Sequence, residues 1–144
     1  MESKMKLNRK ALLIIAVAGL CVLATAQNLK TLIKLVGVTV AVERFSGDIN
    51  KAVNKVANYT DTPAASTKVV PILSVGKGKG AIGAAQVMGP KSRIDQVKAV
   101  AQVEADFLGE FRIKVLIPVS TKDVISNIRR VDGVGVSGIL DLKL

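Results

Sequence analysis

Apolar residues that recur every three or four positions predict amphipathic helices in three stretches of the chain. These stretches are residues 49–57, 92–108 and 120–132. The first follows Ser46-Gly47-Asp48, a sequence typical of a helix start; the other two begin with Ser-x-x-Asp and end at a glycine. Residues 36–42 fit a helix through the flanking apolar spacing and a strand through their own alternation, so both alternatives stay open.

Strand-like stretches lie between and after these helices. Residues 68–75 and 81–88 are short apolar runs, and residues 111–119 and 134–144 alternate between two kinds of side chain. Pro71 cannot donate a hydrogen bond to a neighbouring strand, and it therefore predicts an edge strand or a bulge. The order α-β-β-α-β-α-β predicts an α/β (α+β) fold, with a small, mostly antiparallel or mixed sheet and helices packed on one face.

The N-terminal residues have the layout of a secretory signal peptide. Four cations precede the apolar residues 11–23, and Ala24-Thr25-Ala26 matches the small-x-small pattern that signal peptidase cuts after. We therefore expect cleavage after Ala26 and export to the periplasm, the cell surface or the extracellular space. The alternative is a single-pass membrane anchor at residues 11–26, a stretch shorter than the ~20 apolar residues of a typical spanning helix. The predicted divisions are the signal peptide (1–26), an N-terminal helical segment (27–60), a polar linker (61–67) and an α/β domain (68–144).

The composition argues against an enzyme. The chain has no histidine, and its single cysteine, Cys21, lies within the predicted signal peptide. These absences exclude a Ser-His-Asp triad, a Cys-His pair and any metal site built on histidine. We therefore expect a non-enzymatic protein without a metal ion.

The charge of the chain points to an anionic partner. Four of the 21 Lys and Arg residues and one of the 11 Asp and Glu residues precede Gln27, which leaves a net charge of +7 in the rest. A basic exported domain is attracted to phospholipid headgroups or acidic polymers, although a solvated basic surface without a partner has the same composition. Three Phe and one Tyr are too few for base-stacking platforms, so sequence-specific binding to nucleic acid is not expected.

The candidate binding site is a basic, glycine-rich loop. Residues 76–80 read Gly-Lys-Gly-Lys-Gly, and their backbone amides and two ammonium groups can converge on an anion. Basic residues at the start of the second predicted helix would join this site if the two were neighbours. The predicted anion-binding residues are Lys77, Gly78, Lys79, Gly80, Lys91 and Arg93. Residues 78–83 also match the GxGxxG pattern of dinucleotide-binding folds, but Gly89-Pro90 stops the long helix that such a fold requires, so no cofactor is expected.

Two stretches of the chain have the layout of a known module. The sequence AAQVMGPKSRIDQVKAVAQVEADF combines a strand ending in glycine with a capped helix of repeating apolar residues, and IRRVDGVGVSGILDLKL contains a helix followed by Gly-Val. With the order helix, two strands, helix, strand, residues 48–119 resemble a BON domain, a module of exported envelope proteins. The helix of this region ends in Phe-Leu-Gly-Glu-Phe rather than Gly-Val, which follows an additional helix instead. The resemblance implies binding to phospholipid or to envelope partners, without catalysis.

Two functions from different classes are consistent with these patterns. The first is an exported, non-enzymatic domain of the envelope or surface that binds an anionic surface or an envelope protein through the basic loop. The second is a structural subunit that self-assembles as a homo-oligomer, with the strand containing Pro71 or the C-terminal strand as a sheet edge. Salt-sensitive binding to anionic vesicles would favour the first, and a size that depends on concentration would favour the second.

Overall fold

Five strands form one mixed sheet in the part of the chain that the computed structural model describes, which is Ile33 and residues 37–75, 80–124 and 128–141. The elements are α1 (Val38–Ala57), β1 (Ser66–Ser74), β2 (Ala81–Gly89), α2 (Lys91–Ile94), β3 (Ala99–Phe107), β4 (Phe111–Val119) and β5 (Gly135–Leu140). The strand order is β4-β3-β1-β2-β5, in which β1 and β3 are parallel and the other neighbours are antiparallel. The predicted α+β class with a small mixed sheet is confirmed.

α1 runs through the stretch whose conformation the sequence left open. Its inward positions follow the helical period, and they are Val38, Ala41, Val42, Phe45, Ile49 and Val53. Residues 38–42 are helical because burial of this stripe outweighs the preference of valine for strands. The stripe continues through Ser46-Gly47-Asp48, so the helix start predicted there is wrong. The helix ends at Asn58, which adopts the left-handed conformation common after a helix (φ 53°).

Apolar layers cover both faces of the sheet. On the helix face, defined as the face against which α1 packs, Val42 and Ile49 contact a layer that includes Val69 of β1 and Ala84 of β2. The buried residues of the opposite layer are Val70, Ile72, Ala85, Val87, Ile94, Val97, Val100 and Val131. Because Ile94 belongs to α2, the two helices lie on opposite faces, whereas the pattern predicted helices on one face.

Pro71 lies in the central strand β1, so the prediction of an edge strand is wrong at this position. The strand pairs with β3 only over residues 72–74, and its pairing with β2 shifts register between Ile72 and Leu73. Pro71 thus precedes the point at which β3 joins β1. The sheet therefore loses no hydrogen bond between β1 and β3 because proline lacks an N–H group. The irregularity expected of a strand proline is present just after it. The C-terminal strand β5 is an edge, as predicted.

Residues 99–107 form a strand where the pattern predicted a helix. α2 is a single turn, and the predicted helix of residues 92–108 is wrong beyond it. Residues 101–107 alternate between apolar and polar side chains, a strand pattern that competes with the helical spacing. All nine residues of β3 pair with β4. This pairing favours the strand over the helix because it satisfies backbone hydrogen-bonding groups of both strands.

The helix predicted for residues 120–132 is absent from the described residues of that span. Residues 120–124 and 128–132 are not helical, and residues 125–127 lie outside the described part. Arg130 instead forms an isolated antiparallel bridge with Val119, and the Ser120 N–H donates to the Arg129 carbonyl with an N···O distance of 2.9 Å. This segment therefore covers the outer edge of β4 near its end.

The remaining predictions concern strands and the N-terminal region. The stretches 68–75, 81–88, 111–119 and 134–144 correspond to β1, β2, β4 and β5, with residues 142–144 outside the described part. Ser66 and Thr67, which the pattern assigned to the linker, are the first residues of β1. The predicted signal peptide and its anchor alternative lie outside the described residues.

A close backbone approach at the end of β2 gives a first prediction. A Cβ atom at Gly89 would lie 2.7 Å from the Gly133 carbonyl oxygen, so Gly89→Ala should force the two backbones apart. We expect the free energy of unfolding to fall by about 1–2 kcal/mol in chemical denaturation.

The matched control is Gly47→Ala, inside α1. A Cβ atom there meets no atom of the described residues within 4 Å, and the change should stabilise the helix by about 0.5–1 kcal/mol. Equal denaturation midpoints for Gly89→Ala and the unchanged protein would contradict the close approach of Gly89 and Gly133.

Candidate functional site

The β3–β4 hairpin extends beyond the rest of the sheet. The pairing of β1 with β3 ends at Ser74 and Gln102, and the bridge between Val119 and Arg130 covers β4 only near its base. Residues 103–115, which we call the arm, thus pair only with one another among the described residues. At about 3.3 Å per residue, the arm projects roughly 16 Å beyond Gln102.

The two faces of the arm differ in chemistry because its strands alternate in register. On the helix face, the apolar pairs are Val103 with Val115, Ala105 with Ile113 and Phe107 with Phe111. On the opposite face, Glu104 lies across from Lys114 and Asp106 lies across from Arg112, with N···O distances of 4.0 and 3.9 Å. These four charged side chains are solvent-exposed, and such ion pairs contribute little to stability. The arm is therefore an amphipathic hairpin.

The tip of the arm exposes large apolar side chains to solvent. Phe107, Leu108 and Phe111 are 50%, 75% and 61% exposed, and the two phenyl rings lie 6.4 Å apart between centroids. Leu108 and Gly109 both have positive φ (56° and 73°) in the loop that joins the strands. Behind the tip, Ile113 and Val115 are also exposed. A contiguous exposed apolar patch of this kind marks a site of interaction with a partner or a membrane.

The predicted basic loop falls mostly outside the described residues. Lys77, Gly78 and Lys79 lie in residues 76–79, which are not described, and Gly80 immediately precedes β2. Lys91 and Arg93 follow the other end of β2, roughly 27 Å away along a nine-residue strand, so the structure does not bring them next to Gly80.

Two residues of the predicted anion-binding and dinucleotide-binding patterns, Lys91 and Gly83, have structural roles in the described part of the chain. Lys91 forms an ion pair with Asp95, with an Nζ···Oδ1 distance of 2.6 Å, and both side chains are exposed. Gly83, the last glycine of the GxGxxG pattern, lies inside strand β2 rather than before a helix. Anion binding by the loop itself stays a prediction.

A basic pocket opens between β1 and the segment that leads into β3. Its volume is about 290 Å³, and it is lined by Glu43, Ser46, Lys68, Val69, Val70, Pro71, Val97, Lys98 and Lys122. The Lys68 ammonium donates to the Val97 carbonyl at 2.7 Å, and Lys122 pairs with Glu43 at 2.8 Å. The pocket lining thus contains three lysines and one carboxylate.

The surroundings of Lys68 disfavour its positive charge. Partial burial lowers the pKa of its ammonium group below the usual 10.5, and the nearby Lys98 and Lys91 lower it further, while Asp95 opposes the shift. Sequence reasoning missed this pocket because Lys68, Lys98 and Lys122 belong to no local motif. The topology alone brings them together.

A partly buried polar network, centred on the buried Gln86, joins α1 to the sheet. The Gln86 amide donates to the Oδ1 atoms of Asn50 and Asn54 at 2.9 and 2.7 Å, and its own Oε1 accepts from Ser137 at 2.7 Å. Both asparagines also donate to the Thr67 hydroxyl at 2.9 Å. Each amide is satisfied by protein groups, so this network fixes the position of the helix and offers no free group to a ligand.

Comparison with known proteins gives no match: no protein-family model matches the chain, and neither does any curated protein or any solved structure. The resemblance to BON domains therefore stays a prediction. Within the described residues, no helix combines the length and the apolar character needed to cross a membrane.

Proposed function

We propose that the protein is an exported, non-enzymatic module that binds an anionic phospholipid surface through its arm. The observation that carries the proposal is the exposed apolar tip formed by Phe107, Leu108 and Phe111, on a chain with net charge +7 after Gln27. Apolar side chains that enter the boundary between headgroups and acyl chains supply binding energy, and a basic protein is drawn to anionic lipids. Burial of apolar side chains and electrostatic attraction act together only at an anionic lipid surface.

The charge of the whole domain, rather than that of the arm, supplies the attraction. The arm carries Glu104, Asp106 and Glu110 against Arg112 and Lys114, so it is close to neutral. Two of the acids lie opposite the two cations, on the face away from the apolar pairs. The apolar tip therefore meets the lipid, while the excess of lysine and arginine elsewhere raises the concentration of protein near the membrane.

Binding should accordingly be sensitive to salt and to lipid charge. In a vesicle co-sedimentation assay, the purified protein in the form its host produces should bind phosphatidylglycerol vesicles more tightly than phosphatidylcholine vesicles. Raising NaCl from about 0.05 to 0.5 M shortens the screening length from roughly 14 to 4 Å and should weaken that binding several-fold. Equal binding to both kinds of vesicle at every salt concentration would contradict an anionic surface as the partner.

Self-assembly is the second candidate, and the edge strand β4 favours it. The distal part of β4 has no strand on its outer side among the described residues, and its apolar face is exposed. Two features oppose self-assembly. Arg112, Lys114 and Pro118 are the kinds of residue that prevent edge-to-edge pairing, and the net charge of +7 on residues 27–144 makes two copies repel each other. Light scattering over a hundredfold range of protein concentration distinguishes the candidates, because a lipid-binding monomer keeps one mass.

A further inference from the structure

We propose that the pocket between β1 and residues 97–98 binds the phosphate group of a small soluble compound. Three lysines and one glutamate line it, and none of them belongs to the arm. This inference does not depend on the proposed membrane function, because the pocket and the arm use different residues and lie at opposite ends of β3. With about 3.3 Å per residue, Lys98 and Phe107 are separated by roughly 30 Å.

The pocket is built into the backbone of the sheet. β1 and β3 pair only from Ile72 and Val100 onward, so no strand of the described part of the chain pairs with the preceding part of β1 on that side. Pro71 lies at this point and cannot donate a hydrogen bond across the gap. Val69 and Val70 are 2% and 3% exposed, which anchors this wall of the pocket in the core. A site on such rigid elements needs no rearrangement to accept a ligand.

The charges around the pocket are suited to an anion. Lys68 is held in place by its hydrogen bond to the Val97 carbonyl. Burial and the neighbouring lysines disfavour its charge, while the nearby Asp95, which does not line the pocket, favours it. Glu43 already pairs with Lys122, and Asp95 outside the pocket already pairs with Lys91, so the three pocket lysines exceed the one pocket carboxylate in charge. An anion placed beside Lys68 and Lys98 would relieve the repulsion between them and replace part of the hydration that burial removes.

Phosphate matches this arrangement better than a single carboxylate. Near neutral pH a phosphate monoester carries between one and two negative charges on three terminal oxygens, and several lysines can share those oxygens. The remaining wall is apolar, formed by Val69, Val70, Pro71 and Val97, and it can contact a short carbon skeleton. A volume of about 290 Å³ lies at the lower end of the range for small-molecule sites, so the organic part must be small.

The test is a titration followed by two-dimensional amide NMR at constant ionic strength. The probes are inorganic phosphate and glycerol 3-phosphate, with sulfate-free NaCl keeping the ionic strength fixed. We expect saturable shifts of the amide signals of Val69, Val70 and Lys98, with glycerol 3-phosphate binding at least as tightly as inorganic phosphate. Shifts that rise linearly without saturation, or that spread evenly over all exposed lysines, would overturn the proposal.

Three single substitutions make the test specific. Lys98→Gln removes a pocket cation and should weaken phosphate binding roughly fivefold, whereas Glu43→Gln removes the pocket carboxylate and should strengthen binding by a similar factor. Lys55→Gln is the matched control, since it removes the same charge from an exposed position of α1 outside the pocket and should leave the dissociation constant unchanged. Equal weakening by Lys98→Gln and Lys55→Gln would mean that only net charge matters, and the pocket would be rejected.

A parallel vesicle assay separates a soluble phosphate from a lipid headgroup. Lys98→Gln should bind phosphatidylglycerol vesicles as well as Lys55→Gln does, because the pocket lies far from the tip of the arm. If Lys98→Gln instead lost vesicle binding in proportion to its loss of phosphate binding, the ligand would be the lipid headgroup and the assignment to a soluble compound would be wrong.

Discussion

Replacing both phenylalanines at the tip of the arm by serine should reduce vesicle binding about a hundredfold while leaving the domain folded. Half or more of each of the Phe107 and Phe111 side chains is exposed to solvent, and this exposed part can become buried at the boundary between lipid headgroups and acyl chains. Burial of a complete phenyl side chain is worth about 1.5–3 kcal/mol, and the exposed parts of two rings together contribute ~2–3 kcal/mol. Co-sedimentation of the Phe107→Ser, Phe111→Ser double variant with phosphatidylglycerol vesicles measures the loss.

The matched control removes an exposed apolar side chain elsewhere. Val56 on α1 is 89% exposed and lies outside the arm, and Val56→Ser should bind vesicles like the unchanged protein. Denaturation of the double variant should show a loss of no more than about 1 kcal/mol, the range of a cross-strand aromatic pair. Full vesicle binding by a folded double variant would exclude the arm as the site of contact with lipid.

Replacing Gln86 by leucine should destabilise the domain by about 2–4 kcal/mol, since Gln86 is 4% exposed and its side chain is satisfied entirely by protein groups. Leucine has a similar volume, so the change leaves little empty space. It removes the donor of two hydrogen bonds, and the Oδ1 atoms of Asn50 and Asn54 lose a partner at the interface of helix and sheet. A buried polar group left without a partner costs about 1–3 kcal/mol, and the half-buried Asn50 and Asn54 belong in the lower part of that range. Urea denaturation monitored by circular dichroism gives the value.

The control for Gln86 is the same substitution in another strand. Gln102 of β3 is partly exposed, and its amide donates to the exposed Glu104 carboxylate at 3.0 Å, so Gln102→Leu should cost less than about 0.5 kcal/mol. A double variant with Asn54→Ala should also be less destabilised than the sum of its two single variants, because both remove the same contact. Strict additivity would argue that the network does not act as a unit.

Periodicity was sufficient to predict the strands whose side chains alternate without competition. β4 alternates between apolar and basic side chains over residues 111–115, and the apolar runs of β1 and β2 are each followed within two residues by a glycine or proline, so one pattern dominates in each. Residues 99–107 were misassigned because their alanines and glutamate also favour a helix, and the choice depends on pairing with β4. For residues 38–42 the pattern left helix and strand open, and contact with the sheet selects the helix.

The sites were harder to predict than the elements, for reasons that lie in the topology. The apolar tip is visible in the sequence as Phe-Leu-Gly-Glu-Phe, but its exposure follows only from the point at which β3 leaves β1. The basic pocket combines Lys68 with Lys98 and Lys122, which come from three separate segments. The basic glycine-rich loop has a strong local pattern, and the structure shows that its Gly80 end lies at the opposite end of β2 from Lys91.

The arm has only two strands, and this limits how deeply it can enter a bilayer. Beyond Gln102 and Val119 both outer edges lack a partner strand among the described residues, so backbone N–H and C=O groups along them need water. Each such group costs several kcal/mol in hydrocarbon, which confines all but the tip side chains to the hydrated headgroup layer. A protein bound in this way coats one leaflet without piercing it, so vesicles loaded with a fluorescent dye should keep their contents while the protein covers them.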